Sequence, residues 1–277
     1  MTSTVSRNIS QAITLWSPPR CLSTVFERAM ITRSDTHVFH EPFGETFYYG
    51  EESGSKRYAS QPRVPATYQS ISILMRDTVN SAVKPVVFTK DISYFIEGRI
   101  NETTVPASTT HTFIMRDPRA AIRSLYSKSC IDNEKTKWTY FDPKEAGFKQ
   151  LHDIFTYVRD KLKQKPIVID AGDLIANPEG ILRSYCTAVN LPYDACMLSW
   201  DPGPVPEWGP IELREPGWHD DAIQSSGFHK DKAKHSNVSL ASVDDSRFDN
   251  EELRTVIEEA AGFYADMYAL RLVPTTV

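Results

Sequence analysis

Neither G-x-x-x-x-G-K-[ST] nor G-x-G-x-x-G occurs anywhere in the 277 residues. The first absence removes the glycine cradle, lysine and magnesium-binding hydroxyl of the common ATP and GTP sites, and the second removes the usual dinucleotide fingerprint. H-E-x-x-H is also missing, and the four cysteines, Cys21, Cys130, Cys186 and Cys196, form no C-x-x-C pair. A metal enzyme, a zinc scaffold and a disulfide framework are therefore not indicated, and the cysteines read as reduced thiols. No apolar run approaches the ~18 residues of a membrane span, and the polar stretch from Met1 to Gln11 lacks the apolar core of a signal peptide. The expected location is the cytoplasm, with no membrane partner. Excess positive charge is lacking too: Lys and Arg number 31 against 36 Asp and Glu, a net charge of −5. That balance argues against nucleic acid as a partner, so any basic site for an anion must be local.

What is present is an ordinary globular composition, 40% hydrophobic and 24% charged, at a length that suits one large domain. The expected organisation is a single α/β domain spanning 1–277, with a flexible start over 1–12 and lid or substrate loops at 44–66 and 200–240. Its organising stretch is Thr14-Leu-Trp-Ser-Pro-Pro-Arg-Cys-Leu-Ser-Thr-Val-Phe-Glu-Arg-Ala-Met30. A short apolar run meets two prolines, an arginine and two hydroxyl residues, and apolar residues then recur at helical spacing. This reads as strand, tight loop, helix, with Ser23 or Thr24 as the cap. Unpaired N–H groups at the helix start, beside Arg20, suit an anion, and a plain structural turn is the alternative. Cys21 is either a thiol activated by its position or a small residue filling the loop.

Further along, Thr36–His40 reads as a strand ending in Glu41-Pro42-Phe43, and Val86–Thr89 as a buried strand leading into Lys90-Asp91. Strand ends collect ligands in open α/β sheets, which makes His40, Glu41, Lys90 and Asp91 candidate acid, base or charge-binding groups, against a reading as solvated or ion-paired side chains. Helices are expected over 67–83, 143–162, from 178 to about 189, and 251–270. Strands are expected at 110–115 and 166–170. Thr110–Met115 runs into Arg116-Asp-Pro-Arg119, where Pro118 suits a helix's first turn and Ser124 lies two turns in. Arg116 as a forked donor and Ser124 as a hydroxyl donor could grip one anion, while Arg119 and Arg123 read as an exposed face. Ser225-Ser226-Gly227-Phe228-His229-Lys230 joins a small-residue turn to an aromatic ring and basic groups, able to close over a nucleotide or to stay a solvated loop. Strands each followed by a helix predict a doubly wound parallel sheet.

Pro19-Arg-Cys-Leu-Ser-Thr24 after a strand resembles the 5′-phosphosulfate loop of the sulfotransferase superfamily, and Arg116-Asp-Pro-Arg with Ser124 eight residues on resembles its 3′-phosphate motif. Asp173-Leu174 with Asn177-Pro178, ahead of a helix and Leu191-Pro192, resembles a recurrent structural stretch of the same enzymes, and Leu15-Trp-Ser, His40-Glu-Pro-Phe43, Lys90-Asp91 and Ser225-Ser-Gly-Phe228 are similar to a divergent bacterial and fungal branch. The resemblance spans roughly residues 13–230. It implies a P-loop-like fold and transfer of a sulfuryl group from 3′-phosphoadenosine 5′-phosphosulfate (PAPS) to a hydroxyl or amine of a small molecule, without a metal. The donor site it implies comprises Arg20, Cys21, Leu22, Ser23, Thr24, Arg116, Ser124, Ser226, Gly227, Phe228, His229 and Lys230. Three departures stand out. Arg20 and Leu22 occupy positions where relatives carry lysine and glycine, and Lys90-Asp91-Ile92-Ser93 stands where better-known members place a catalytic histidine. Glu41 is then the first candidate base, with Asp91 and His40 behind it. Different chemistry on the same fold, such as sulfation-driven elimination or another phosphoryl transfer, and a non-catalytic nucleotide binder are the alternatives. A second copy of the chain is the one macromolecular partner considered.

Overall fold

Strand β1 (Gln11–Ser17) is the centre of the molecule because both of its faces are apolar. Ile13 and Leu15 project to one side and Trp16 to the other, and each side carries its own core, as alternation along a strand requires. The computed structural model describes residues 10–209, 216–228, 248 and 250–275. Within them β2 (Thr36–His40), β3 (Val86–Ile92), β4 (Thr110–Met115) and β5 (Ile167–Asp170) join β1 in one five-stranded sheet of order β2-β3-β1-β4-β5. All four pairings are parallel. The fold is the expected parallel α/β sheet flanked by helices.

Among the described residues the helices of six residues or more are α1 (Ser23–Ile31), α2 (Pro42–Tyr49), α3 (Tyr68–Ser81), α4 (Pro118–Tyr126), α5 (Phe148–Asp160), α6 (Ala171–Ala176), α7 (Pro178–Ala188) and α8 (Glu251–Tyr268). Phe26 of α1 and Tyr185 of α7 cover one face and meet edge-on at 4.8 Å between ring centres. Phe113 of β4 meets Phe155 of α5 on the other in the same manner, at 5.7 Å. Each such ring removed from water contributes about 1.5–3 kcal/mol. The one buried histidine of β4, His111, is satisfied as a neutral ring: Trp16 Nε1 donates to its Nδ1 at 3.2 Å, and Pro106 O lies 3.0 Å from its Nε2. Among the described residues no helix is long and apolar enough to cross a membrane.

Four expectations need correction. The segment expected to be a loop from Gly44 begins as α2, with Phe43, Tyr48 and Tyr49 buried. Farther on, Arg57 is pinned to Glu145, its Nε donating to the two carboxylate oxygens at 2.7 and 2.8 Å, and is stacked 3.5 Å from the Trp138 ring, so this part is anchored rather than a free lid. Strand β3 runs on through Lys90 and Asp91 to Ile92, because both charged groups find partners inside the protein. The helix expected over 143–162 is broken: a short 3-10 turn, Pro143–Ala146, stops at Gly147, whose φ of 75° no continuing helix allows. Finally α1 has no side-chain cap, its N-cap being Leu22 in left-handed geometry.

Candidate active site

The loop between β1 and α1 carries two non-glycine residues at positive φ, Arg20 at 63° and Leu22 at 65°. Such geometry costs about 1–2 kcal/mol per residue, and it persists only where the surroundings impose it. Part of that constraint is Gly147. A Cβ there would lie 2.9 Å from Ser93 Oγ, 3.3 Å from Pro19 Cδ and 3.4 Å from Pro18 Cα, so the loop rests on the glycine backbone itself. Ser93 Oγ donates to Gly147 O at 2.7 Å and fixes that support to the end of β3. Ser23 does not cap α1, since its hydroxyl pairs with Ser17 Oγ at 2.8 Å. The first turn of α1 is thus left without a side-chain acceptor, beside two guanidinium groups. That is the arrangement in which a helix start attracts an anion.

Those guanidinium groups come from sequence positions nearly a hundred residues apart. Arg116 directly follows β4, is buried, and directs Nη1 at Arg20 O at 3.5 Å. Arg20 Nε donates to Ser124 Oγ at 3.1 Å, its Nη1 to Trp218 O at 2.9 Å, and its Nη2 to Asp221 Oδ2 at 3.2 Å. Asp221 is mostly exposed, so that ion pair adds little by itself. Arg20, Arg116, Ser124 and the start of α1 therefore share one locality. Arg119 is exposed as expected, whereas Arg123 lies half-buried over the Phe248 ring at 5.6 Å.

A second locality sits at the carboxyl ends of β2 and β3. Lys90 Nζ donates to Glu41 Oε1, both side chains being almost wholly buried. Burial alone would raise the Glu41 carboxyl, yet the Lys90 charge and the neighbouring imidazoles bring it down to about 2. A carboxylate held so firmly is a weak proton acceptor. Asp91 accepts N–H bonds from Phe43 at 3.1 Å and Ile92 at 2.9 Å, and so fixes the start of α2; burial pushes its carboxyl well above the ordinary range. His40 is wedged in. Its Nδ1 lies 2.7 Å from Glu27 Oε2, its Nε2 lies 3.3 Å from His219 Nε2, and its ring stacks on Trp208 at 5.1 Å. Burial first, then the Lys90 charge, pulls His40 down to about 3, and burial likewise drives His219 well below the usual histidine value. Glu27 moves the other way: burial pushes it well above the carboxylate range.

His40, Glu41 and His219 offer ligand atoms within 4.8 Å of one another. The Lys90 ammonium already sits on that carboxylate, so the group handles protons more readily than a cation.

Several expected site residues end up elsewhere. Cys21 is fully buried in a small apolar cluster, and its thiol is pushed up to about 12 by burial despite Arg116 and Arg20 nearby, so it fills space and is no nucleophile. Phe228 belongs to the apolar core against Trp200, ring centres 5.5 Å apart, and is unavailable for stacking on a base. Ser226 and Gly227 are tied to the strand-like segment at 199–200, through Trp200 N to Ser226 O at 3.3 Å and an isolated bridge from Ser199 to Gly227. His229 and Lys230 lie outside the described residues. Thr24 is half-buried on the first turn of α1.

Glu27, His219 and Gly147 were not singled out from sequence. A glutamate beside Phe26 on the inward side of an apolar helix was a usable signal for Glu27, and a lone glycine inside an expected helix was one for Gly147. His219 meets a partner 179 residues away, which no local pattern reveals.

A sulfotransferase domain family model matches residues 149–248. That match covers neither the β1–α1 loop nor the Arg116 turn. Two curated proteins of Arabidopsis thaliana, branched-chain-amino-acid aminotransferase-like proteins 2 and 1, are each 28% identical, over 220 and 232 residues. They share 79% and 80% of this chain but only 36% and 37% of their own length, so the chain spans little more than a third of the relatives it matches. Among solved structures, the sulfotransferase domain of the Synechococcus PCC 7002 olefin synthase superposes with a TM-score of 0.51 at 12% identity, covering 94% of this chain and 98% of that one. A Mycobacterium avium sulfotransferase gives 0.46 at 11% identity, covering 97% and 79%. At 12% identity the likeness to the olefin synthase domain concerns the fold.

Proposed function

We propose that the chain is a sulfotransferase-superfamily protein that transfers a sulfuryl group from PAPS to a hydroxyl or amine of a small molecule, a reading supported by the family match over 149–248 and by the fold. The observation that carries this reading is the meeting of two distant turns, Arg20 Nε on Ser124 Oγ at 3.1 Å with Arg116 on the Arg20 carbonyl. One molecule bearing phosphates at two ends would engage both. PAPS supplies the activated sulfuryl group and leaves as the 3′,5′-bisphosphate. The chain supplies charge: Arg20 and the uncapped N–H groups of α1 would face the 5′ side, and Arg116 with Ser124 the 3′-phosphate.

The residues fit such a ligand chemically. Guanidinium forks and helix-start amides are the donors that phosphate oxygens take, and among the described residues the partners of Arg20 are replaceable ones: a hydroxyl, a carbonyl and an exposed carboxylate. Negative charge gathering on the leaving phosphate would be met by donors already in place, the electrostatic arrangement that dominates many enzymes. Glu41, held by Lys90, shapes the field beside that point rather than taking a proton.

The test is incubation of the protein with PAPS and a panel of small hydroxyl and amine compounds, read by mass spectrometry for a gain of one SO3 group. Products carrying a new double bond or ring and no sulfate would favour the elimination reading. A chelator should leave turnover unchanged, and loss of activity with it would point to His40, Glu41 and His219 as a metal site.

A further inference from the structure

The geometry points to Glu27, His40 and His219 as a proton relay in which His219 Nδ1 is the base that deprotonates the acceptor and Glu27 is the final proton store. This rests on the sulfuryl-transfer reading above. The three groups form one line: Glu27 Oε2 to His40 Nδ1 at 2.7 Å, then His40 Nε2 to His219 Nε2 at 3.3 Å. The tautomers follow from the end of the chain. The state that reacts is the one from which Glu27 has lost its proton, reached at higher pH because burial raises that carboxyl; an ionised Glu27 accepts only, so His40 then carries its hydrogen on Nδ1, which leaves its Nε2 as an acceptor. His219 must then donate from Nε2, and its Nδ1 is left with a lone pair. Among the described residues nothing bonds to that nitrogen. His219 is half-buried, whereas His40 and Glu27 are buried, so the line reaches toward the surface at its His219 end.

The position suits the task. Trp218, next to His219, accepts from Arg20 through its carbonyl, and Asp221 pairs with the same guanidinium. The relay therefore opens beside the group proposed to hold the phosphosulfate. In the step itself the acceptor oxygen forms a bond to sulfur, and the sulfur bond to the donor's phosphate oxygen breaks, its electron pair leaving with the bisphosphate. The acceptor proton goes to His219 Nδ1, the His219 Nε2 proton passes to His40 Nε2, and the His40 Nδ1 proton passes to Glu27 Oε2. Both rings start and finish neutral.

The electrostatics favour that ending. Burial resists charge on either imidazole and favours a proton on Glu27. The charged groups facing the line are Lys90 and Glu41 from the strand ends, Glu207 near Glu27, and Arg20 near His219. Among the described residues neither Glu27 Oε1 nor the indole N–H of Trp208 makes a regular hydrogen bond, and that indole is the nearby donor that favours the ionised carboxylate against burial.

The experiment combines three proteins and two readouts. In nitrogen-15 spectra of the histidine rings at mildly alkaline pH, the wild type should show His40 protonated on Nδ1 and His219 on Nε2. The opposite pair of tautomers would overturn the relay without reference to turnover. Glu27→Gln, which keeps the shape but cannot store the proton, should bind 3′-phosphoadenosine 5′-phosphate as the wild type does, keep KM, and lose roughly 10²-fold or more in kcat. In the wild type kcat/KM should rise with pH as one proton leaves the cluster, and in Glu27→Gln that limb should vanish. His219→Asn should lose at least as much kcat with the nucleotide still bound; wild-type kcat in either variant would overturn the relay. Failure of the wild type to bind the bisphosphate would instead overturn the transfer reading, and the base role with it.

Discussion

The two halves of the candidate site are built on opposite principles. Around the β1–α1 loop, two guanidinium groups stand beside an uncapped helix start, and Arg20 is held by exchangeable oxygens, one of them an exposed carboxylate. At the ends of β2 and β3, Glu41 and Lys90 already cancel each other in the interior, and Asp91 is consumed by two backbone donors. The first region is prepared for a ligand's charge, the second for its own. What distinguishes them is burial of both partners: an ion pair away from water must be complete, while a half-exposed arginine can exchange partners at little cost.

That difference predicts unequal responses to mutation. Lys90→Ala should have the largest effect, since it strands the Glu41 carboxylate in the interior, at about 3–5 kcal/mol of stability in denaturant unfolding. Replacing both, Lys90→Met with Glu41→Leu, should restore most of the loss; a double variant as unstable as the single one would break the contrast. Next, Arg116→Ala should weaken nucleotide binding by about 1.5–3 kcal/mol in calorimetry, the worth of a charged forked donor, and unchanged affinity would remove Arg116 from the site.

A smaller effect is expected from pH. Burial pulls His111 down to about 4, so between the ordinary histidine value of ~6.5 and that level the unfolded chain binds a proton that the folded chain refuses. Stability from this residue is complete above about pH 6.5 and drains away as pH falls toward 4. At pH 5 the wild type should have lost about 1–2 kcal/mol more than His111→Gln, relative to pH 8; parallel pH curves for the two would contradict the assignment. The smallest effect belongs to Gly147→Ala, where positive φ and contact with Ser93 and Pro19 should cost about 1 kcal/mol and loosen the nucleotide loop. A variant of unaltered stability and affinity would show that the loop does not depend on that support.

The fold was readable because its signals are local. Val86–Val87–Phe88 and Ile167–Val168–Ile169 are apolar enough to be buried strands wherever they occur, and Asn177-Pro178 starts α7 as its residues dictate, with Asn177 accepting from Gly180 N at 2.9 Å. The arginines and serine of the two turns stood out for the same reason. The proton-handling residues did not, because their meaning depends on tertiary partners. Glu41 is suitable as a base from its place at a strand end, and only the Lys90 side chain arriving from the neighbouring strand changes that. Phe228 looks like a stacking ring in a polar stretch, until Trp200 and the core claim it. His219 acquires a role solely through His40, across most of the chain.

The most direct test is calorimetric titration of the wild-type protein with 3′-phosphoadenosine 5′-phosphate, alongside adenosine 5′-phosphate lacking the second phosphate. Saturable one-to-one binding, with the bisphosphate at least tenfold tighter, is the result expected if the Arg20 and Arg116 turns hold opposite ends of one nucleotide. Equal affinity for the two, or no binding of either, would contradict it.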